Sequence, residues 1–256
     1  MLLAIDVGNT HTVLGIFSGE ELMNNWRLST SKERTVDEYG ILTRNLFSIA
    51  GISFEKVRGI AISSVVPPLN DTLEEMSKSY FHMEPLFVQP GIKTGMPILY
   101  ENPHDVGADR IANAVAAINL FGAPSIVIDF GTATTFDVIT DKGEYQGGII
   151  VPGPEISADA LFEKTARLPR IGIKKPPKVI GKNTVHSIQS GLYYGYVSLV
   201  KGIVEAIKEE LKTELEVIAT GGLVHSFIKD MSFINHLKQN LTLHGLRIIY
   251  EKNKKP

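Results

Sequence analysis

No cysteine occurs among the 256 residues. Disulfides, thiolate metal sites and a thiol nucleophile are therefore excluded, and the chain suits a reducing compartment such as the cytoplasm. Long apolar runs are also missing. No stretch reaches the roughly 18 uninterrupted apolar residues that a membrane span needs. The apolar opening, MLLAIDVGNT, is too short for a signal peptide, lacks a basic start, and meets Asp6 and Gly8 at once. It is expected to be a buried first strand. An excess of one charge is absent too. Lys and Arg number 26 against 28 Asp and Glu, a formal net charge of −2. That balance gives no general electrostatic reason to expect nucleic acid or an anionic membrane as a partner. The seven histidines show no zinc-like spacing, and Trp26, the single tryptophan, is expected in a core.

What is present is an alternation of apolar runs and amphipathic stretches, at a length sufficient for two modest domains. Residues 2–7, 12–17 and 22–28 read as strands. Residues 35–50 carry Val36, Tyr39, Ile41, Leu42, Leu46 and Ile49 at helical spacing. A buried strand follows over 57–63. Pro67 and Pro68 open a helix over 69–80, proline being suited to a first helical turn. Residues 109–120 form the next helix, behind the breaker Asn102-Pro103. The order then recurs: strands at 125–130, 133–140 and 144–151, a helix at 155–167, a long helix at 184–211 and a late strand at 217–219 ending in Gly221-Gly222. The proline- and lysine-rich stretch 169–183 is expected to be a mobile loop, and the tail 252–256 to fray.

The recurrence extends to residues. Ile5-Asp6-Val7-Gly8-Asn9 matches Ile128-Asp129-Phe130-Gly131-Thr132, and the same offset of 123 residues sets Thr12 against Thr135 and Ile16 against Ile139. A repeat of this length suggests a duplicated domain, with halves at 1–115 and 116–256, rather than a solenoid. Each half opens on a strand that runs into Asp-x-Gly. The glycine lets backbone approach a ligand. Turn N–H groups and hydroxyls can hydrogen-bond phosphate oxygens. The carboxylate cannot touch phosphate directly and would instead hold Mg²⁺ or its waters. One such turn alone reads equally as an Asx-stabilised hairpin. Two of them, with Ala219-Thr220-Gly221-Gly222 after a late strand, make a nucleotide-binding constellation.

Four further sequences belong with these: Gly107-Ala108-Asp109-Arg110 behind Pro103, Asp129-Phe130-Gly131-Thr132-Ala133-Thr134, Gly147-Gly148, and Pro152-Gly153. With Asp6-Val7-Gly8-Asn9-Thr10 and Gly221-Gly222 they occur in order over essentially the whole chain. Together they resemble the actin-like ATPase superfamily of sugar kinases and Hsp70-type chaperones, and more narrowly the type III pantothenate kinases. The resemblance implies an α/β fold of two tandem ribonuclease H-like domains with a central cleft, Asp6 and Asp129 facing each other across it. It implies ATP and phosphate contacts along Asp6, Val7, Gly8, Asn9, Thr10, His11, Thr12 and Val13, and at Thr132, Gly221 and Gly222. It implies a pantothenate site at Tyr100, Gly107, Ala108, Asp109, Arg110 and Thr184. It also implies Mg²⁺ with ATP, a monovalent cation (K⁺ or NH₄⁺) at Asp129, and a homodimer served by the long helix at 184–211.

Phosphorylating an alcohol requires a group that takes its proton in line with the γ-phosphate. With the resemblance, Asp109 is that group. Read alone, Asp109 could equally complement a helix dipole, with Arg110 a solvated cation. Asp105, four residues earlier, could cap the helix or share the site. Tyr100 and Thr184 read alone as a packed aromatic and a helix N-cap. Three functions compete: a pantothenate kinase giving 4′-phosphopantothenate on the way to coenzyme A, a nucleotide-driven switch of the actin and Hsp70 kind, and a regulatory nucleotide binder without chemistry. Asp6, Asp109 and Asp129 together favour the enzyme.

Overall fold

The computed structural model describes residues 1–254. They form two compact units. The first comprises Met1–Asn119 together with the C-terminal segment from Leu241, and the second comprises Leu120–Asn240. The sequence division at 115/116 therefore lies close to the first boundary, but the last helix returns to the first unit.

In the first unit, β1 (Leu2–Val7), β2 (His11–Ser18) and β3 (Glu21–Ser29) form an antiparallel meander. β4 (Gly59–Ser64) lies parallel on the other side of β1, followed by β5 (Leu86–Phe87), giving the order β3-β2-β1-β4-β5. β1 and β4 are buried almost throughout, as strands covered on both faces must be. α1 (Val36–Ile49) begins at a capping box. Thr35 Oγ1 accepts from Glu38 N–H at 3.3 Å, and Glu38 Oε2 accepts from Thr35 N–H at 2.7 Å. α2 (Asn70–Phe81) follows a 3-10 turn at Pro67–Leu69. Leu3, Ile5, Leu14, Ile16, Tyr39, Phe47, Ile60, Ile62, Leu73 and Met76 make the core, each of the larger side chains contributing roughly 1.5–3 kcal/mol by leaving water. Trp26 stacks on Phe47 at 5.4 Å, as its core reading requires.

The second unit repeats this plan. β6 (Ser125–Phe130), β7 (Ala133–Ile139) and β8 (Tyr145–Pro152) form the meander, and β9 (Glu216–Thr220) and β10 (His236–Leu237) pair beyond β6 in parallel. The order β10-β9-β6-β7-β8 is that of the first sheet, element for element. Both meanders carry a register shift at equivalent places, Ile16/Phe17 and Val138/Ile139. The duplication is thus structural. Its register differs in one respect from the constant offset. Val7 pairs with Thr12, whereas Phe130 pairs with Thr134. The second turn is one residue shorter, so the counterpart of Thr12 is Thr134, and that of Ile16 is Val138. Thr12 and Thr134 are both fully buried. A one-residue slip in a strand moves every side chain to the opposite face, so this correction decides which threonines are inside.

α3 (Ala108–Phe121), α4 (Pro154–Glu163), α5 (Thr184–Leu211) and α6 (Leu241–Asn253) complete the fold. α4 stops before residue 167. The Thr165 hydroxyl donates to Leu161 O at 2.7 Å, and Leu168 precedes a proline, which disfavours helical backbone. Beyond Gly222 the chain makes two 3-10 turns, Val224–Ser226 and Ile228–Asp230, burying Val224, Phe227 and Met231. The stretch 169–183 has no regular structure but is pinned rather than loose. Gln189 Nε2 donates to Gly172 O at 3.3 Å, Lys175 Nζ donates to both Asp230 carboxylate oxygens at 2.8 Å, and Pro176 is buried. The tail is not frayed at Lys252 and Asn253, which belong to α6. Asn253 Nδ2 donates to Lys93 O, and Lys93 N–H donates to Asn253 Oδ1. Lys255 and Pro256 lie outside the described residues.

Candidate functional site

The first hairpin turn sits at the carboxyl end of β1, where β1 has an antiparallel neighbour on one side and a parallel one on the other. The strand order β3-β2-β1-β4-β5 reverses between β1 and β4, and carboxyl ends of strands at such a switch point are where α/β sheets bind ligands. Asp6 lies opposite Val13 and Ser63 on β2 and β4. Gly8 N–H donates to His11 O at 2.9 Å and closes the turn. A side chain at Gly8 would come within 3.2 Å of that same oxygen, a tight fit. Asn9, Thr10 and His11 are exposed, while Thr12 is buried and Val13 half-buried beneath them.

The structure brings Asp109 to this end of the same sheet. Val65, directly after β4, donates its N–H to Val7 O at 3.0 Å. A Cβ on Gly107 would lie 3.6 Å from Val65 Cγ1 and 2.6 Å from Asp109 Oδ1. Gly107 thus lets the start of α3 close on the ends of β1 and β4. Ala108 and Asp109 occupy the first turn of α3, with Asp109 Oδ1 accepting from Arg110 N–H at 2.8 Å. A helix N-terminus would ordinarily favour the ionised carboxylate. Burial outweighs it here and pushes the Asp109 pKa up, with the Arg110 backbone hydrogen bond and charge opposing. A desolvated carboxylate with a raised pKa is a stronger proton acceptor than an exposed one. Arg110 is not a solvated cation: it is only 6% exposed. Asp105 does not cap α3. It ends the 3-10 turn Pro103–Asp105, where its carboxylate accepts from Asn102 Nδ2 at 2.9 Å.

In the second unit, the structure gathers Asp129, Thr132, Gly221 and Gly222. Asp129 lies opposite Thr135 and Thr220. Gly221 has φ +95°, and a Cβ there would meet Asp129 Oδ1 at 2.5 Å and Phe130 N and O at 2.6 Å each. Only glycine allows this turn to lie against the end of β6. Leu223 N–H donates to Phe130 O at 3.3 Å and holds it there. Thr132 is exposed at the tip of the β6–β7 turn, and its carbonyl accepts from Gly153 N–H at 3.1 Å. Behind the turn, the buried Tyr196 hydroxyl of α5 bonds to Thr134 Oγ1 and, at 3.2 Å, to Pro152 O.

Two further predicted residues lie on other segments of the chain. Tyr100 is half-buried in the irregular segment after β5, and Thr184 is exposed as the first residue of α5. The helix cap is Asn183, whose Oδ1 accepts from His186 N–H at 2.8 Å. Sequence reasoning overlooked Asp137. This fully buried carboxylate in β7 accepts from Tyr145 O–H at 2.7 Å and Thr135 O–H at 3.3 Å. Its two-residue spacing from Thr135 along one strand was available in the sequence; that Asp129 lies opposite Thr135 on the same face was not. Among the described residues, no group of three or more His, Cys, Asp or Glu side chains could hold a metal ion. A Mg²⁺ ion that arrives on ATP phosphates needs no such group, since one or two carboxylates and waters complete its shell.

Comparison with known proteins decides the family. The family model for type III pantothenate kinase matches residues 2–206. The chain is 55% identical over 253 residues to the type III pantothenate kinase of Myxococcus xanthus (strain DK1622), covering 99% of both chains. The chain belongs to the type III pantothenate kinase family. Among solved structures, component A of the (R)-2-hydroxyglutaryl-CoA dehydratase of Acidaminococcus fermentans matches with a TM-score of 0.58 at 13% identity, covering 99% of each chain. An inorganic polyphosphate/ATP-glucomannokinase from Arthrobacter sp. strain KM matches with a TM-score of 0.53 at 13% identity, again over 99% of each. At such identities the likeness concerns the fold, which is the duplicated ribonuclease H-like arrangement of this kinase family. No helix among the described residues is long and apolar enough to cross a membrane.

Proposed function

We propose that the chain transfers the γ-phosphoryl group of ATP to the 4′-hydroxyl of pantothenate, giving ADP and 4′-phosphopantothenate. The observation that carries this reading is Asp109, a carboxylate with a raised pKa held at the shared carboxyl end of β1 and β4, in a chain of this family. Asp109 takes the hydroxyl proton as the oxygen attacks phosphorus. The bond from the γ-phosphorus to the β,γ-bridging oxygen breaks, and ADP leaves with its electron pair. Gly107, Ala108, Arg110, Tyr100 and Thr184 form the pantothenate site. Asp6, Val7, Gly8, Asn9, Thr10, His11, Thr12 and Val13, with Thr132, Gly221 and Gly222, serve the nucleotide through turn amides and hydroxyls. Mg²⁺ offsets the phosphate charge when bound, and Asp6 orients its waters. Asp129 is the carboxylate of a K⁺ or NH₄⁺ site.

The reaction belongs in the cytoplasm, where ATP is made available, with neither nucleic acid nor membrane as a partner. A homodimer is part of the reading. α4 packs on α5, and the two helices carry exposed Ile156, Leu161, Phe162, Val185 and Leu199. A monomeric mass by sedimentation at micromolar concentration would remove that part. Coupled ADP release, measured with and without pantothenate, tests the activity. Release that depends on pantothenate is expected, and ATP hydrolysis indifferent to it would overturn the kinase reading.

A further inference from the structure

The residue that follows β3 and the residue that follows β8 occupy the same place in the duplicated plan. In the first unit it is Thr30, whose N–H donates to Thr10 O at 3.0 Å. In the second it is Gly153, whose N–H donates to Thr132 O at 3.1 Å. A Cβ on Gly153 would lie 2.2 Å from Thr132 O and 2.6 Å from Gly131 O, so the shorter second turn leaves no room for a side chain. The longer first turn leaves room, and Thr30 fills it. Thr30 Oγ1 donates to Gly8 O at 2.7 Å. Its single hydroxyl hydrogen is then used, so at the 2.9 Å contact with Thr12 Oγ1 the buried Thr12 hydroxyl must be the donor.

Thr30 therefore grips two carbonyls of the turn, those of Gly8 and Thr10, from the end of β3. The Gly8–Asn9 peptide is trans. In a planar trans peptide the C=O and the next N–H point in opposite directions. Holding the Gly8 carbonyl on Thr30 thus aims the Asn9 N–H away from it. The turn conformation that would present an amide to a phosphate oxygen is set by a side chain outside the motif.

We infer that Thr30 is a positioning residue for the nucleotide turn, acting through its hydroxyl on the Gly8 carbonyl. This rests on the proposed use of the Asp6–Val13 turn for ATP. Thr30→Val keeps the β-branched shape but removes the hydroxyl, and Thr30→Ser restores it. Steady-state kinetics, ADP binding by calorimetry and melting temperature are measured for both variants, beside Asp6→Asn. Thr30→Val is expected to raise the KM for Mg·ATP and the Kd for ADP by roughly 10-fold, the scale of one lost hydrogen bond. The KM for pantothenate should stay within about twofold, and Thr30→Ser should return ATP use to within about threefold of the parent. Thr30→Val with parental ATP and ADP constants overturns the inference, whatever its melting temperature. So does Thr30→Ser failing to rescue. If Asp6→Asn alters Mg·ATP use while Thr30→Val does not, only this inference falls. If neither does, the nucleotide reading of the turn falls with it.

Discussion

Replacing Gly221 with alanine separates two costs that the second unit combines at one position. The residue has φ +95°, and a non-glycine side chain in a left-handed conformation costs about 1–2 kcal/mol. Its Cβ would also meet Asp129 Oδ1 at 2.5 Å and the Phe130 backbone N and O at 2.6 Å. Two of these neighbours are strand backbone, which cannot swing away as a flexible side chain could, so overpacking adds roughly 1–3 kcal/mol. The sum, roughly 2–5 kcal/mol, lowers the melting temperature on the order of 10 °C at about 2–4 °C per kcal/mol for a chain of this size. Gly143→Ala is the control. It has φ +73° in the same unit, with nothing within 4 Å of the added Cβ. It should cost only the conformational part. Any relaxation at Gly221 pushes on Asp129 and Phe130, so ATP use should fall in Gly221→Ala but hold in Gly143→Ala. Calorimetric melting and the ADP-release assay on both variants check this. Equal melting temperatures for the two would refute the close-approach argument, and a destabilised Gly221→Ala with parental activity would detach the glycine turn from the nucleotide.

Asp109→Asn is expected to lower kcat on the order of 10²-fold or more by removing the proton acceptor. Because burial raises the carboxyl pKa, its contribution to stability is fully present below the unfolded value and lost as pH rises through the folded one. At neutral pH the asparagine variant should therefore melt at or above the parent, and a large loss of melting temperature would point to a structural role instead. For the same reason the acid limb of kcat/KM should lie above the ordinary carboxylate range near about 4, and a pH–rate profile with no acid limb there would exclude Asp109 as the base. Asp6→Asn should weaken Mg²⁺·ATP use, shifting the magnesium titration of turnover to higher concentration with little change in the pantothenate KM, and a titration superimposable on the parent's would contradict this. Turnover should fall sharply when K⁺ and NH₄⁺ are replaced by Na⁺, and full activity in sodium alone would remove the monovalent cation while leaving the kinase standing.

The parts of the fold legible in the sequence are those whose signal is local. β1, β2, β6 and β7 carry apolar runs bounded by turns, and α1 announces its start with Thr35 and Glu38. α6 was missed for a physical reason. Leu241, Leu243, Leu246, Ile248 and Ile249 are all buried, so no narrow apolar stripe marks the helix. Gly245 weakens its intrinsic helix propensity by about 1 kcal/mol. The glycine is nonetheless required, since a Cβ there would lie 1.9 Å from Ala112 O. β5 and β10, two residues each, are too short to show alternation. At the site, the Asp-x-Gly turns were legible because their spacing repeats. The one-residue contraction of the second turn was not, because Thr134 and Thr135 are chemically identical and only pairing distinguishes them. Thr30 and Tyr196 lie far from the motifs in sequence and reach them only through folding.

The return of α6 to the first unit has a consequence for the order in which the molecule can be completed. α6 covers β1, β2 and β4, with Tyr250 against Gly59 and Gly245 against Ala112. Domains generally fold as units while the chain is synthesised from its N-terminus. The second unit has all its residues once Asn240 is made, whereas the first, begun earliest, lacks a wall until the final helix arrives. During that interval the strand carrying Asp6 has an uncovered apolar face. A chain cut after residue 240 would carry every motif of the nucleotide and acceptor sites, yet leave the N-terminal sheet open. The last helix, which bears none of those residues, thus determines when the first of them is held in place.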